Sequence, residues 1–155
     1  MRLSRAAPEA VALAALGYSW IDAVSNWSSL PARLPTHFGP SGLPDGYGDR
    51  SSALLLPLIG VALWTLLTVI AQFPRYFNYP VAITDENRPR LEGVAVTMLA
   101  WIKAEIACIF AYIEWGTLRV ALGEASGLGS AFLIVTLMVG GVTIVCGIVA
   151  MRKLQ

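Results

Sequence analysis

Residues 30–50, LPARLPTHFGPSGLPDGYGDR, separate two long apolar runs and decide how the chain is organised. The stretch holds four prolines, four glycines and the only histidine of the chain. Proline fixes φ and removes a backbone donor, so this density excludes a helix and is too high for a strand. Residues 40–42 and 44–46, Pro-Ser-Gly and Pro-Asp-Gly, have the composition of tight turns. The sequence therefore predicts an ordered Pro/Gly-rich loop that packs on the helix ends through its apolar residues, Leu34, Phe38, Leu43 and Tyr47.

Composition indicates what lies on either side of this loop. The 155 residues have a mean hydropathy of +0.64 and only 14% charged residues. Apolar runs of about twenty residues recur, each long enough to cross a hydrocarbon layer as a helix. We therefore expect an all-α integral membrane protein with four transmembrane helices in one domain, residues 1–155. The predicted spans are residues 7–30, 52–73, 91–118 and 130–151, with an outer loop at 30–50 and a cytoplasmic interfacial loop at 73–90.

Lysine and arginine are distributed unequally between the predicted loops. One side holds Arg2, Arg5, Arg75, Arg88, Arg90, Arg152 and Lys153. The other side holds Arg33, Arg50 and Arg119. Because cytoplasmic loops carry the excess of positive charge, both termini are expected in the cytoplasm and the 30–50 loop outside. A net charge of +1 provides no basic surface, so a nucleic-acid partner is not expected.

The third predicted span contains ionisable residues at hydrocarbon depth. Such residues are costly in a membrane unless they are paired, and they mark candidate sites. Eleven residues are three helical turns plus about 20°, so Lys103 and Glu114 share one face while Glu105 lies on the other. Asp22, on the first span, lies at a depth similar to that of Lys103. We therefore expect Lys103 and Asp22 to form an ion pair under the outer loop.

These intramembrane charges have three interpretations. They could pair with one another and fix the register of the bundle. Alternatively, Asp22, Lys103 and Glu105 could line a polar cavity that opens outward and is closed by the loop. A proton or ion path is the third interpretation, although the second and fourth spans have no carboxylate or basic group that could continue a relay.

The fourth predicted span carries small residues at intervals of four, three and four. These are Thr136, Gly140, Thr143 and Gly147. Such a stripe lets helix backbones approach closely in lipid. It predicts a helix–helix contact, either within this chain or with a partner.

The loop has a recognisable motif, LP-x-x-LPTHFG-x-x-G-x-PDGYG, followed by FNYP-x-x-IT-x-ENRPR at 77–90 and WIKAE at 101–105. This pattern resembles the domain of unknown function 1648, the N-terminal domain of SdpI-type immunity proteins in bacteria, over about residues 15–120. The resemblance implies a bacterial inner-membrane location. It also implies that the loop could recognise a peptide or another protein.

The candidate binding residues are therefore those of the loop motif. They are Pro35, His37, Phe38, Gly39, Gly42, Pro44, Asp45, Gly46, Tyr47 and Gly48. His37 could be a pH-sensitive contact, or it could hydrogen-bond a backbone carbonyl and fix the turn. Tyr47 could bind a ligand or anchor the loop at the interface.

Catalytic patterns are not apparent in the sequence. No nucleophile motif, HExxH pair or phosphate-binding glycine loop occurs, so we do not expect an enzyme. Cys108 and Cys146 lie in apolar runs without metal-ligand spacing and are expected to be packed as small apolar residues, with neither a metal nor a cofactor. Two functions remain: a membrane protein that recognises a peptide or protein partner, and a structural accessory subunit of a larger membrane complex.

Overall fold

The computed structural model describes residues 3–155, with side chains from Arg5 onward. Arg2, which was counted for the orientation, lies outside the described residues. Within them the chain forms four α-helices and one two-stranded sheet. The helices are α1 (Leu3–Asn26), α2 (Leu55–Ile70), α3 (Arg88–Ala121) and α4 (Phe132–Arg152). The strands are β1 (Arg33–Phe38) and β2 (Pro44–Asp49), between α1 and α2.

Among the described residues, three helical segments are long and apolar enough to cross a membrane. They are Arg50–Ile70, which includes a 3-10 turn before α2, Arg88–Ala121 and Phe132–Arg152. The chain is thus a mostly helical protein with membrane-type helices. α1 has 24 residues and is long enough, but it is less apolar and carries Glu9 and Asp22. Its predicted role as a fourth span remains a prediction.

Residues 30–50 were predicted to form an ordered loop without strands, but they contain an antiparallel hairpin of β1 and β2. Arg33 pairs with Asp49 and Pro35 with Tyr47, with irregular register on either side of His37. Both strands of a two-stranded sheet are edge strands, where proline is tolerated, particularly at a strand start or a bulge. Pro44 begins β2, and Pro35 lies beside the first irregularity. Proline is excluded from central strands but not from these two edge strands, and the prediction that residues 30–50 form no strand is therefore wrong.

The two predicted turns have different outcomes. The first is present, because the Gly42 amide donates to the Gly39 carbonyl at 2.8 Å and Gly42 has a φ of 78°. The second is absent, since residues 44–46 are the start of β2. Gly46 instead lies opposite His37, where a Cβ would be 3.0 Å from the His37 Cβ.

The hairpin is packed against several elements. Leu34 joins Leu30, Ala53 and Leu118 in a buried apolar cluster that connects β1 to α3 and to the turn before α2. The hairpin turn also contacts the α3–α4 connection, where the Leu128 amide donates to the Gly42 carbonyl at 2.8 Å. These contacts support the predicted packing of residues 30–50 on the helix ends. Leu43 and Tyr47, which were expected to pack in the same way, are each 53% exposed.

The helices pack around α3. α1 lies alongside it through Ala12 and Leu16 against Ala104 and Ala107, with Trp64 of α2 at the edge of this cluster. Small side chains allow helices to approach closely without a large apolar core.

α4 packs chiefly against α3, and the small-residue stripe faces that contact. A Cβ on Gly147 would lie 2.2 Å from the Met98 sulfur, and Thr143 donates to Glu105. Gly140 also faces Glu105, and Thr136 lines a groove shared with α3. Cys108 and Cys146 were expected to be packed as small apolar residues. Both are instead exposed on the outer surface of the bundle.

The opposite end of the bundle is formed by the start of α3. Thr84 and Asn87 exchange hydrogen bonds, each amide donating to the other side chain, at 2.8 and 3.2 Å. Val81, Leu91, Ala95 and Met151 form a buried cluster there. The helix therefore begins at Arg88, after a capped turn.

Candidate functional site

The predicted ion pair between Lys103 and Asp22 is wrong. Lys103 pairs instead with Glu9 of α1, and it donates to the Thr68 hydroxyl of α2 at 2.9 Å. The indole of Trp64 donates to the other Glu9 oxygen at 3.1 Å, and the Lys103 nitrogen lies 5.4 Å from the centre of the Trp64 ring. We call Glu9, Trp64, Thr68 and Lys103 the Lys103 cluster. Each polar group in it has a partner, and three helices contribute to it.

Asp22 has a different partner, Arg119, near the hairpin end of the bundle. An Asp22 oxygen accepts from Arg119 at 3.0 Å and from the Asn26 amide at 2.9 Å. Arg119 also donates to Glu124 at 2.9 Å. Asp22 is 11% and Arg119 22% exposed at the side chain, so this pair is largely shielded from solvent.

The stagger of α1 against α3 explains why the pairing was mispredicted. α3 has 34 residues and α1 has 24, and the two do not start at the same depth. Contacts between them join residues that are 94 and 97 positions apart, as in Glu9–Lys103 and Asp22–Arg119. Measuring each depth from its own helix start therefore placed Asp22 too close to Lys103. Glu9 lies near the start of the first predicted span and was therefore not predicted as the partner of Lys103.

Glu105 lies on the face of α3 opposite Lys103, as the helical spacing predicted, and this face contacts α4. It accepts a hydrogen bond from Thr143, whereas Lys103 on the opposite face contacts α1 and α2. Asp22, Lys103 and Glu105 thus contact separate partners. The predicted polar cavity lined by these three residues is not present in the described part of the chain.

Glu114 is the exception among the buried charged groups. Its residue surface is only 1% exposed, yet neither carboxyl oxygen has a hydrogen-bond partner among the described residues. Ser19 on the facing helix α1 is 2% exposed, and its hydroxyl also lacks a partner there. Buried polar groups are nearly always hydrogen-bonded, so the unpartnered carboxyl makes Glu114 a candidate binding residue.

Glu114 lines a cavity of about 490 Å³ beneath the hairpin, which we call the hairpin cavity. The polar side chains around it come from β1, the turn before α2, and α3, and they are Thr36, His37, Ser52, Glu114 and Thr117. The apolar lining comes from β1, α2, α3, the α3–α4 connection and α4, and it includes Phe38, Leu55, Leu56, Ile113, Leu128, Phe132 and Leu133. Pro35, Gly39 and Gly42, predicted as loop-site residues, also line it.

The remaining predicted loop residues lie on β2, and one of them, Asp45, pairs with His37 of β1. The two side chains are 71% and 53% exposed, so the partner of His37 is a carboxylate and not a backbone carbonyl, which was one of the two predicted alternatives. Pro44, Gly46, Tyr47 and Gly48 follow along β2. Gly48 permits close packing, because a Cβ there would lie 2.7 Å from both the Ser52 hydroxyl oxygen and a Thr36 methyl.

Three residues were not predicted from the sequence: Ser52 and Thr117 in the hairpin cavity, and Arg119 as the partner of Asp22. Ser52 and Thr117 carry no motif, and each enters the hairpin cavity only because the hairpin folds back over α3. Arg119 was assigned to a loop, whereas it lies in the last turn of α3. Its position one residue after Leu118, in the same apolar run, was the signal that the helix continues.

Comparisons with known proteins find similarity over part of the chain. Residues 12–61 match the family model "Domain of unknown function (DUF1648)", a shorter match than the 15–120 expected from motifs. An "Uncharacterized protein" of Archaeoglobus fulgidus is 34% identical over 88 residues, which cover 52% of this chain and 48% of that protein. The chain thus spans about half the length of this curated relative. No solved structure matches the chain. The segment similar to the family described as domain of unknown function 1648, residues 12–61, thus includes the whole hairpin.

Proposed function

We propose that this chain is a membrane protein that recognises a peptide or protein partner through its hairpin and the hairpin cavity, without catalysing a reaction. The observation that carries the proposal is the carboxyl of Glu114, which has no partner among the described residues and lines a cavity of about 490 Å³ that the hairpin covers. Cavities of this size with apolar walls and a few polar groups are typical of small-ligand sites.

The exposed residues of the hairpin favour a partner larger than a small molecule. Leu43 and Tyr47 are exposed on it, next to the exposed His37–Asp45 pair. Tyrosine is enriched at protein interfaces because it combines a large apolar ring with a hydroxyl. The resemblance of the motif to SdpI-type immunity proteins supports an immunity-like role, in which the recognised partner is a peptide.

The proposal includes a topology in the bacterial cytoplasmic membrane. α1 serves as a fourth span, with both termini in the cytoplasm and the hairpin outside. The charge distribution supports this, since Arg75, Arg88, Arg90 and Arg152 lie at the helix ends opposite the hairpin. A cysteine placed at exposed Ser41 should react with a membrane-impermeant reagent in intact cells. One at Gln155 should react only after permeabilisation, and the reverse pattern would refute the topology.

Photo-crosslinking tests the recognition itself. A benzophenone amino acid at Tyr47 should give a discrete adduct with a peptide or protein in intact cells. The matched control is Tyr76, an exposed tyrosine (69%) at the other end of the bundle, which should not give that adduct. Identical adducts at both positions, or none at Tyr47, would contradict the proposal.

A structural accessory subunit is the second candidate, and the position of α4 favours it. α4 packs chiefly against α3, and its outer face leaves Leu137 and Met138 about two-thirds exposed (66% and 64%). Such a face can contact lipid or a helix of another protein. A photo-crosslinker at Leu137 that yields a protein adduct, while Tyr47 yields none, would favour the subunit over the recognition protein.

A further inference from the structure

The lining of the hairpin cavity indicates which chemical group it accepts. Its polar side includes the Glu114 carboxyl and the hydroxyls of Ser52 and Thr117. Its walls include the aromatic rings of Phe38 and Phe132. The site thus has one acidic group, hydroxyl acceptors and aromatic walls, and the imidazole of His37 at its edge is paired with Asp45.

Glu114 has no hydrogen-bond partner among the described residues. It is 1% exposed, and both carboxyl oxygens are without hydrogen bonds among the described residues. Burying a carboxylate alone is unfavourable, whereas a cationic group that donates hydrogen bonds would stabilise it. Asp22 differs in this respect, because one of its carboxyl oxygens accepts from Arg119 and Asn26.

A metal ion fits these residues poorly. The described residues contain no group of three or more His, Cys, Asp or Glu side chains that could hold a metal. Calcium takes about six to eight oxygen ligands, and magnesium requires near-octahedral coordination. A primary ammonium, in contrast, is compact and has three donors, which match one carboxylate and two hydroxyl groups. Aromatic rings also attract such a cation.

We propose that the hairpin cavity binds a primary ammonium group carried on a chain of two or more methylenes, with Glu114 as its counter-ion. The methylenes contact the walls of the cavity, and the ammonium donates to Glu114. This inference rests on the proposed recognition function and names the chemistry of the recognised group. The group could belong to a lysine side chain of a peptide or to the ethanolamine headgroup of a lipid.

Thermal unfolding of the purified full chain in detergent tests the proposal, with n-hexylammonium as probe and n-hexanol as the neutral analogue of equal stem length. Hexylammonium should raise the unfolding midpoint of the wild type at concentrations where hexanol does not. Glu114→Gln should weaken hexylammonium binding at least about 30-fold, as expected for removing one partner of a buried charge pair. The matched control is Glu105→Gln, since Glu105 also lies within α3 but contacts Thr143 outside this cavity. It should bind like the wild type.

Equal effects of hexylammonium and hexanol, or unchanged binding by Glu114→Gln, would overturn the proposal. If Glu114→Gln does not fold, a chemical protection experiment on the wild type tests the proposal. Hexylammonium should then protect Glu114 from a hydrophobic carbodiimide, as measured by mass spectrometry, and absence of protection would refute the assignment.

Competition against hexylammonium separates the two sources of the ammonium group. Displacement by Nα-acetyl-lysine amide favours a peptide, and displacement by glycerophosphoethanolamine favours a lipid. The two proposals can fail separately. A Tyr47 adduct without hexylammonium binding would refute only the ammonium site, while hexylammonium binding without a Tyr47 adduct would refute only the recognition of a peptide or protein.

Discussion

The Lys103 cluster and the hairpin cavity are both polar regions inside an apolar bundle, yet they differ in how their charges are satisfied. Lys103 is 2% exposed at the side chain, and it contacts a carboxylate, a hydroxyl and an aromatic ring. Glu114 is equally buried but has no partner among the described residues. The difference indicates separate roles. The Lys103 cluster joins three helices, and the hairpin cavity is available to a ligand.

The largest effect on stability is expected from Lys103→Met. The substitution leaves Glu9 without its cation inside the bundle, so the free energy of unfolding should fall by about 3 kcal/mol. Adding Glu9→Gln should lower it by less than the sum of the two single losses, because the double variant has no lone charge. Unfolding in mixed detergent micelles measures both values. Strictly additive losses would refute the pairing.

Asp22→Asn should have the next largest effect. It weakens the contact with Arg119, and hydrogen bonds between charged groups contribute about 2 kcal/mol. Because Asp22 and Lys103 have no common partner, the double variant should lose the sum of the single losses. A strong coupling between the two positions would mean that they do contact each other, contrary to this structure.

A smaller effect is expected from Gly42→Ala in the hairpin turn. Gly42 and Gly123 have nearly the same φ, 78° and 77°, so alanine is strained at both. Only at Gly42 would the new Cβ meet backbone, 2.7 Å from the Gly129 carbonyl oxygen. Gly42→Ala should therefore lower the free energy of unfolding by about 1 kcal/mol more than the control Gly123→Ala. Equal losses would mean that the hairpin turn does not contact the α3–α4 connection.

The sequence was sufficient to predict the helices, and the reason is physical. Apolar runs near the length of a membrane span can satisfy their backbone only as helices, so three membrane-type segments were located within a few residues. The helical spacing also placed Lys103 and Glu105 on opposite faces. Both inferences use only local periodicity.

The contacts between helices were not predictable in the same way. The stagger of α1 along α3 depends on side-chain packing, as at Ala12 and Ala104, and it determines that Glu9 and not Asp22 reaches Lys103. The hairpin was missed because proline was judged for a central strand, whereas Pro35 and Pro44 lie on edges. Glu114 was noted as a buried charge, but its cavity exists only once the hairpin covers it.

The most direct test of the account compares Glu9→Gln with Glu114→Gln by unfolding in the same micelles. Both substitutions replace a carboxyl by an amide of nearly equal shape within the bundle. Glu9→Gln should lower the free energy of unfolding by about 2 kcal/mol, because Lys103 loses its counter-ion. Glu114→Gln should change it by less than about 0.5 kcal/mol or raise it, because no hydrogen bond to the described chain is lost. A loss at Glu114 equal to that at Glu9 would show that its carboxyl is already bound within the protein, and would contradict the account.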